Sequence, residues 1–288
     1  GIHFTSDNEN VTTVSADGTV TIKNAGTAKI TVSMDESQNF LAVSKEVTVT
    51  VAPKEITVTP DNASKVYGES DKEFTYTPSG LVGEDTLSDI TLSRAEGDNV
   101  GTYEITAAQK KNANPNYSVK FNKGTFTINP KEITVTITPN GGTYEGNIIS
   151  AAAVLNGLVG EDKPEIILTY AGKANDGTEV NGTKTPVLAG TYTVTASITD
   201  SNYNLKAEGT TAEFVVTKAT PGLSVAAVSD KSYGEGAFKL GVSNKGDGLK
   251  SYVSSNEKVV TVDEKGTITI VGAGTATLTV SLAESANY

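Results

Sequence analysis

The sequence predicts an all-β protein built from small immunoglobulin-like sandwiches in tandem, and three observations carry this prediction. Apolar residues alternate with threonine over short runs, as in EVTVTV at 46–51, which is the period of a half-buried strand. No helical period holds over any window of about 11 residues or more. The stretch PKEITVT occurs at 53–59 and again at 130–136, and such self-similarity indicates a repeat protein.

Internal repeats divide the chain into four predicted units. The offset of 77 residues between the PKEITVT copies also carries GLVGED at 80–85 onto 157–162. Residues 2–40, shifted by 248, fall on 250–288 without a gap, with 20 of 39 positions identical. The outer units are therefore of one kind and the middle units of another. We expect boundaries that give units 1–52, 53–129, 130–217 and 218–288.

Within these units the sequence predicts short strands joined by tight turns. Asp17-Gly18 between two alternating runs is a hairpin signal. One helical turn is expected after GLVGED, capped by Asp85 or Asp162, and a β-grasp-like sheet carrying that turn is the alternative fold for the middle units. The unit 130–217 has an insertion near 171–186. Strands in the unit 53–129 are expected at 55–59, 73–77, 90–93, 101–107, 117–121 and 124–128.

The links between units are expected to be stiff. Pro53 and Pro130 each begin a strand where the preceding one ends, and proline fixes its own φ and extends the residue before it. With units of about 35–40 Å end to end, the chain should span on the order of 130 Å. Its radius of gyration should then exceed the value near 19 Å, roughly that of a compact domain of this length.

Composition excludes several classes of partner. Lys plus Arg is 23 and Asp plus Glu is 34, a net charge of −11, so we expect no nucleic acid and no anionic membrane as partner. No apolar run is long enough to span a bilayer, so no direct membrane insertion is expected. Cysteine is absent, which disfavours a disulfide-rich secreted eukaryotic domain. Without an initial methionine or a signal peptide, the chain is expected to be a fragment of a larger protein.

Motifs in all four units resemble known bacterial domain families. The unit 53–129, with SKVYGE, GLVGEDTL, NVGTYEIT, NPNY and GTFTI, resembles the bacterial MBG domain of the YGX type. The unit 130–217 resembles a diverged member, since Tyr144-Glu145-Gly146 replaces Tyr67-Gly68-Glu69. SSNEKVVTVDEKGTITIVGAGTATLTV in 218–288 resembles the bacterial immunoglobulin-like group 2 domain, and 1–52 resembles its C-terminal part. These resemblances imply a large secreted or wall-attached bacterial protein, such as an adhesin, and no defined activity.

Catalytic and metal-binding chemistry has few residues to use. The single histidine is His3 and there is no cysteine, so nucleophile–base pairs are not available. The carboxylate pairs Glu84/Asp85 and Glu161/Asp162 are interpreted as solvated turns, not as an acid and a base. The ligand spacing of a calcium loop is missing, and 175–179 is the nearest approach to it. We expect no enzyme activity, no cofactor and no metal.

Recurrent aromatic residues are predicted to serve packing. Asn-Tyr or Asn-Phe occurs once per unit, and a second tyrosine recurs directly before a Gly-Glu or Glu-Gly pair. A tyrosine at a strand corner with its hydroxyl bonded to backbone is a known device of β-sandwiches. The structural tyrosines expected on this basis are Tyr67, Tyr117, Tyr144, Tyr203 and Tyr233.

Two functions remain open from the sequence. The first is a structural spacer of a bacterial surface or secreted protein, whose partners are neighbouring domains of a longer chain. The alternative is a binding module that recognises a glycan or host protein through the 171–186 insertion or an inter-domain groove. Its candidate ligand-binding residues are Tyr170, Asn175, Asp176 and Glu179.

The repeat offset of 248 also predicts incomplete outer units. Residues 1–52 have no counterpart of 218–249, and residues 218–288 have no counterpart of 41–52. We therefore expect an unpaired strand edge in each of these two units. An edge that lacks its neighbouring strand recruits another chain. Two arrangements are open: strand 46–51 completes the 218–288 unit of a neighbouring molecule, or 1–52 folds back on the unit 53–129.

Overall fold

The computed structural model describes residues 1–146 and 150–288, which fall into two units, Gly1–Lys131 and Glu132–Tyr288. Within these ranges every regular element is a strand, so the all-β prediction is confirmed. In the first unit the strands are β1 Ile2–Ser6, β2 Thr12–Val14, β3 Val20–Ile22, β4 Gly26–Met34, β5 Val43–Val51, β6 Lys54–Pro60, β7 Ala63–Val66, β8 Tyr76–Ser79, β9 Ile90–Arg94, β10 Gly101–Gln109, β11 Tyr117–Phe121 and β12 Gly124–Asn129.

Residues 1–52 form two small antiparallel sheets. One has the order β1-β4-β5 and the other is the hairpin β2-β3, whose turn contains Asp17-Gly18. Gly26 opens β4 at φ +146°, and a Cβ there would lie 2.7 Å from Val11 Cγ2. Only glycine fits this close approach in a left-handed backbone. Gly274 is the counterpart of Gly26 in the last segment. It has φ +147°, and a Cβ there would come similarly close to Val259, the counterpart of Val11.

Residues 53–129 form a two-layer sandwich. A four-stranded sheet of order β7-β12-β10-β9 faces a three-stranded sheet of order β11-β6-β8, and β6 packs against β10 and β12. Most pairs are antiparallel, but β6–β11 and β7–β12 are parallel. The core contains Ile105, Phe126 and Ile128, each at most 1 % exposed. Burying a side chain of this size stabilises the fold by about 1.5–3 kcal/mol.

The second unit contains the remaining strands. Residues 132–217 form a sheet of order β15-β13-β19 and a five-stranded sheet of order β14-β20-β18-β16-β17, while the sheets of 218–288 are β21-β23, β22-β26-β25 and β24-β27. These strands are β13 Lys131–Thr138, β14 Gly142–Thr143, β15 Ala152–Asn156, β16 Ile166–Ala174, β17 Glu179–Gly182, β18 Gly190–Ile198, β19 Tyr203–Leu205, β20 Thr211–Thr217, β21 Ser224–Val225, β22 Phe238–Lys239, β23 Val242–Ser243, β24 Lys250–Ser254, β25 Val260–Val262, β26 Thr267–Ile270 and β27 Leu278–Leu282.

Two tyrosines and a phenylalanine form the centre of the 132–217 core. Tyr170, Tyr192 and Phe214 are buried together with Val194 and Val216. The Tyr170 and Phe214 rings meet edge to face at 5.9 Å between centroids, a favoured aromatic geometry. The 171–186 insertion extends this sheet as the hairpin β16–β17.

The helical turn expected after GLVGED is wrong. Residues 82–85 form a tight turn in which the Asp85 N–H donates to the Val82 carbonyl at 3.0 Å, and 159–162 do the same. No helix continues from either turn within the part of the chain that the structure describes. The β-grasp-like alternative, which depended on that helix, therefore loses its basis.

Candidate functional site

One asparagine binds both sides of the joint between residues 1–52 and 53–129. The Ala25 N–H donates to Asn116 Oδ1 at 2.8 Å, and Asn116 Nδ2 donates to Asn24 Oδ1 at 2.8 Å. The Lys54 N–H, at the entry to β6, donates to the Asn116 carbonyl at 2.9 Å. The Asn116 side chain thus hydrogen-bonds the loop before β4. Its backbone carbonyl accepts a hydrogen bond from Lys54, at the end of the link between the two segments.

The joint between residues 132–217 and 218–288 is built in the same way. The Ala189 N–H donates to Asn287 Oδ1 at 3.0 Å, and the Ala219 N–H donates to the Asn287 carbonyl at 2.9 Å. Asn175 Nδ2 adds a bond to the Ala286 carbonyl at 3.1 Å. We call the arrangement at Asn116 and at Asn287 the asparagine clamp.

The asparagine clamp uses two short sequence signals. Each clamp residue precedes a tyrosine, as Asn116-Tyr117 and Asn287-Tyr288, and each amide donor precedes Gly-Thr, at Ala25 and Ala189. The recurrence of Asn-Tyr was visible in the sequence and was interpreted as packing. Its pairing with the Ala-Gly-Thr loop could not be found there, because the partners lie 91 and 98 residues apart.

The two joints differ in length, since residues 218–223 separate β20 from β21 in the second. Between the end of β5 at Val51 and the start of β6 at Lys54 stand only Ala52 and Pro53. In the second joint, Lys218 forms an ion pair with Glu284 at 2.5 Å directly after β20 ends. A backbone with one fixed φ and hydrogen bonds on both sides has few conformations left. The first joint, with its proline and its two-residue link, therefore has few backbone conformations.

Tyr117 and its counterpart Tyr203 hold the GLVGED loops through their hydroxyl groups. Tyr117 Oη donates to the Asp85 carboxylate and accepts from the Val82 N–H at 3.1 Å. Tyr203 Oη donates to Asp162 and accepts from the Val159 N–H at 3.0 Å. The aspartates expected to cap helices are therefore acceptors for tyrosine. The hydrogen bond to Asp85 raises the pKa of Tyr117, because the carboxylate favours the protonated phenol.

The other expected structural tyrosines differ in their surroundings. The N–H groups of Tyr67 and Tyr144 donate to the last carbonyl of β12 and β20, each at 2.9 Å. The Tyr144 ring meets Tyr288 edge to face at 5.3 Å. Tyr233 is 73 % exposed, so the packing role expected of it is wrong.

The candidate ligand-binding residues do not converge. Tyr170 is 2 % exposed and its hydroxyl accepts from the Ala151 N–H at 3.2 Å, so as a ligand contact it is wrong. Asn175 is held in the second joint. Asp176 Oδ1 accepts from the Thr178 N–H at 2.8 Å, and this bond lowers the pKa of the carboxyl. Glu179 begins β17 with an exposed side chain.

The single histidine lies in an exposed pair. His3 Nε2 lies 2.7 Å from Asp35 Oδ2 at an exposed position. Across residues 1–146 and 150–288, no group of three or more His, Cys, Asp or Glu side chains is placed to hold a metal ion. The same ranges contain no helix long and apolar enough to cross a membrane.

Two segments match protein-family models. Residues 56–127 match the MBG domain of the YGX type, as the motifs predicted. Residues 233–284 match the immunoglobulin-like domain of intimin, which confirms the immunoglobulin-like character of that segment. Both are domain types of bacterial surface proteins. No curated protein matches the chain.

Solved structures of a surface layer protein, SbsC, also resemble the chain. SbsC domains 4–9 are 16 % identical with a TM-score of 0.22, over 98 % of this chain and 55 % of that one. SbsC domains 1–6 are 17 % identical with a TM-score of 0.24, over 99 % and 48 %. A longer SbsC fragment, rSbsC(31-844), is 16 % identical with a TM-score of 0.24, over 98 % and 49 %. The chain spans about half the length of these structures, and scores this low support no functional conclusion.

Proposed function

We propose that this chain is a structural spacer segment of a bacterial cell-surface protein, which holds a distal binding region at a fixed distance and angle. The observation that carries the proposal is the asparagine clamp, in which an alanine N–H donates to the asparagine Oδ1 and a link N–H donates to the asparagine carbonyl in both described joints. A joint that served only to connect would not need a side chain bonded to one segment and a backbone carbonyl bonded to the link. Fixed joints are what a spacer requires.

Other features agree with this role. The matched families are domain types of surface proteins, which supports a cell-surface or extracellular location. The acidic, threonine-rich surface favours solubility and discourages self-association through flat faces. Under this proposal the partners are neighbouring domains of a longer chain, and the segment has no catalytic role.

The alternative of a glycan- or host-protein-binding module receives less support. A binding site needs convergent polar groups around exposed apolar surface. Tyr170, just before the 171–186 hairpin, is buried, and Asn175 within it donates to the Ala286 carbonyl at the joint. The hairpin therefore contributes Asn175 to the second joint, while the rest of its tip, 176–179, is exposed and gathers no convergent polar groups.

Distance measurements between spin labels test the spacer proposal. The chain has no cysteine, so Thr5→Cys in β1 and Thr102→Cys in β10 provide two unique and exposed attachment sites on either side of the first joint. We expect a single narrow distance distribution by pulsed electron resonance. Asn116→Ala removes both side-chain bonds of the clamp and should broaden that distribution.

A matched control separates the clamp from general loss of stability. Asn122 donates to Thr59 Oγ1 at 3.0 Å within one sandwich, so Asn122→Ala removes an asparagine bond without touching the joint. This variant should keep the narrow distribution. A broad distribution in the unsubstituted chain would show that the joint is flexible and would contradict the spacer role.

A further inference from the structure

The chain enters and leaves the sandwich of residues 53–129 at opposite ends of β10. The loop before β11 accepts a hydrogen bond at 2.9 Å from the first residue of β6, and Asn114 in that loop donates to Gln109, the last residue of β10, at 3.2 Å. The last strand, β12, places Ile128 opposite Gly101, the first residue of β10. β10 has nine residues, each rising about 3.3 Å, so its length separates the two ends.

The first two strands of this sandwich pair in parallel with its last two. Two residues separate β6 from β7, and two separate β11 from β12. β6 pairs in parallel with β11 from Lys54↔Tyr117 to Val58↔Phe121, and β7 pairs in parallel with β12 over the next stretch. β6 also lies between β11 and β8, and β12 lies between β7 and β10. Neither strand can therefore leave its sheet without breaking hydrogen bonds on both of its sides.

Tension along the chain acts on these parallel pairs from opposite ends. Residues 1–52 precede the sandwich and residues 130–288 follow it, so a pull on the chain enters at Lys54 and leaves at Asn129. In each pair the first strand is then drawn toward its N-terminus and its partner toward its C-terminus. The hydrogen bonds of a parallel pair are evenly spaced along the strands, so a pull along that axis strains them together. Strands that are pulled apart at one end lose their bonds one after another.

Further hydrogen bonds fasten both parallel pairs at their ends. At the start of the β6–β11 pair the Lys54 N–H donates to the Asn116 carbonyl at 2.9 Å, and beyond its end the Asn122 N–H donates to a β6 carbonyl at 2.9 Å. The β7–β12 pair is followed by a bond from the Tyr67 N–H to the Asn129 carbonyl at 2.9 Å. Water has little access to the core side of the loaded strands, where four apolar residues are at most 3 % exposed: Ile56, Val58, Phe126 and Ile128.

Residues 132–217 repeat this arrangement with a diverged sequence. Their first strand, β13, lies between β15 and β19, and their last strand, β20, lies between β14 and β18. β14 pairs in parallel with β20, as β7 does with β12. The 171–186 hairpin extends the opposite edge of the sheet and leaves this pair unchanged. Interior first and last strands are therefore common to both middle domains.

We propose that the sandwich of residues 53–129 is a load-bearing element, in which the parallel pairs β6–β11 and β7–β12 resist tension along the chain. Forced unfolding is governed by the unfolding rate, and a step that must break several bonds at once is slower than a step that breaks one. The load-bearing role goes beyond the spacer role, because it concerns extension of a domain and not bending at a joint. It does not depend on the side-chain bonds of the asparagine clamp.

Single-molecule force spectroscopy of the full chain tests the proposal with two directions of pulling. The chain has no cysteine, so pairs of introduced cysteines at exposed positions decide where the handles are attached. Ala52→Cys with Glu132→Cys pulls β6 and β12 from opposite ends of the sandwich. Ala52→Cys with Ser118→Cys pulls β6 and β11 apart at the same end, so that their bonds open in turn. At the same loading rate, we expect a rupture force several-fold higher for the first pair than for the second.

The two directions load the same domain, so thermodynamic stability does not separate them, and denaturant unfolding should give both double variants the same free energy of unfolding. Lys111→Cys, at an exposed position in the loop before β11, can replace Ser118→Cys and should give the same low force. Equal rupture forces in the two directions, or a lower force for opposite-end pulling, overturn the proposal. A broad distance distribution between spin labels would contradict the spacer role and leave the difference in force unchanged, so the two failures are distinguishable.

Discussion

Arg94, the single arginine of the chain, organises a cluster of charges that no motif in the sequence announced. Its Nε donates to Asp71 Oδ2 at 2.5 Å, and its guanidinium lies 4.9 Å from the centre of the Phe126 ring. Lys65 Nζ lies 2.7 Å from Asp71 Oδ1, and its side chain is only 6 % exposed. The two cations therefore share the Asp71 carboxylate over the core, and their pairing depends on tertiary contacts between distant strands.

The cluster predicts an acid-sensitive contribution to stability. Arg94, and then Lys65, hold the pKa of Asp71 below its usual value. A carboxyl whose folded pKa is depressed stabilises the fold above its unfolded pKa, and this stabilisation is lost as pH falls through the folded pKa. Asp71→Asn should lower the free energy of unfolding by about 1–3 kcal/mol at neutral pH, because two nearly buried cations lose their less exposed carboxylate and keep only the exposed Asp98. Denaturant unfolding from neutral to acid pH measures this.

Asp98 provides the matched control for Asp71. Its carboxylate lies 3.2 Å from Arg94 Nη2 and 3.5 Å from Lys65 Nζ, but its side chain is 84 % exposed. Water screens an exposed ion pair, so Asp98→Asn should change stability much less. If the free energy of unfolding fell equally with acid in the two variants, the assignment of this pH dependence to Asp71 would be contradicted.

Among the elements, the GLVGED loops show how a tyrosine replaces a helix cap. In each loop a hydroxyl accepts one backbone N–H and donates to the aspartate that closes the turn. Tyr203 is 2 % exposed, while Tyr117 is half-buried. Loss of a hydrogen bond costs more where water cannot replace it.

Tyr203→Phe should therefore destabilise the fold by about 1 kcal/mol and speed hydrogen exchange at the Val159 amide. Tyr117→Phe should expose the Val82 amide with a smaller loss of stability, because water reaches that loop. Denaturant unfolding combined with amide exchange measures both effects. A larger loss for Tyr117→Phe, or an unchanged Val159 amide, would show that the hydroxyls do not hold the loops.

Strands were predicted correctly where apolar and polar residues alternate along the segment itself. They were missed or misplaced where pairing with a distant strand sets the position. The expected strands at 90–93, 101–107 and 117–121 correspond to β9, β10 and β11. β7 was missed because Ala63–Val66 is short and pairs in parallel with the distant β12. The expected strand at 73–77 begins later, at Tyr76, where pairing with β6 starts. The helical turn failed because the aspartate side chain bonds a tyrosine from another strand.

For the whole molecule, the repeats were informative about units and silent about their joints. Equal sequence at 2–40 and 250–288 goes with equal strand pairing, since β1–β4 and β24–β27 share one register shifted by 248 residues. The repeats could not predict that Asn116 and Asn287 clamp the joints, since a single sequence does not show which distant positions meet. Tyr170 shows the same limit: its neighbourhood looked like an insertion, yet its side chain is a core residue.

Residual dipolar couplings of the full chain test the fixed joints most directly. We predict that one alignment tensor describes residues 1–52 and 53–129 together, and that one tensor describes 132–217 and 218–288 together. The reason is that each asparagine clamp fixes its two segments as one body. Tensors that differ in magnitude or direction across either joint would show independent motion and would contradict the spacer account.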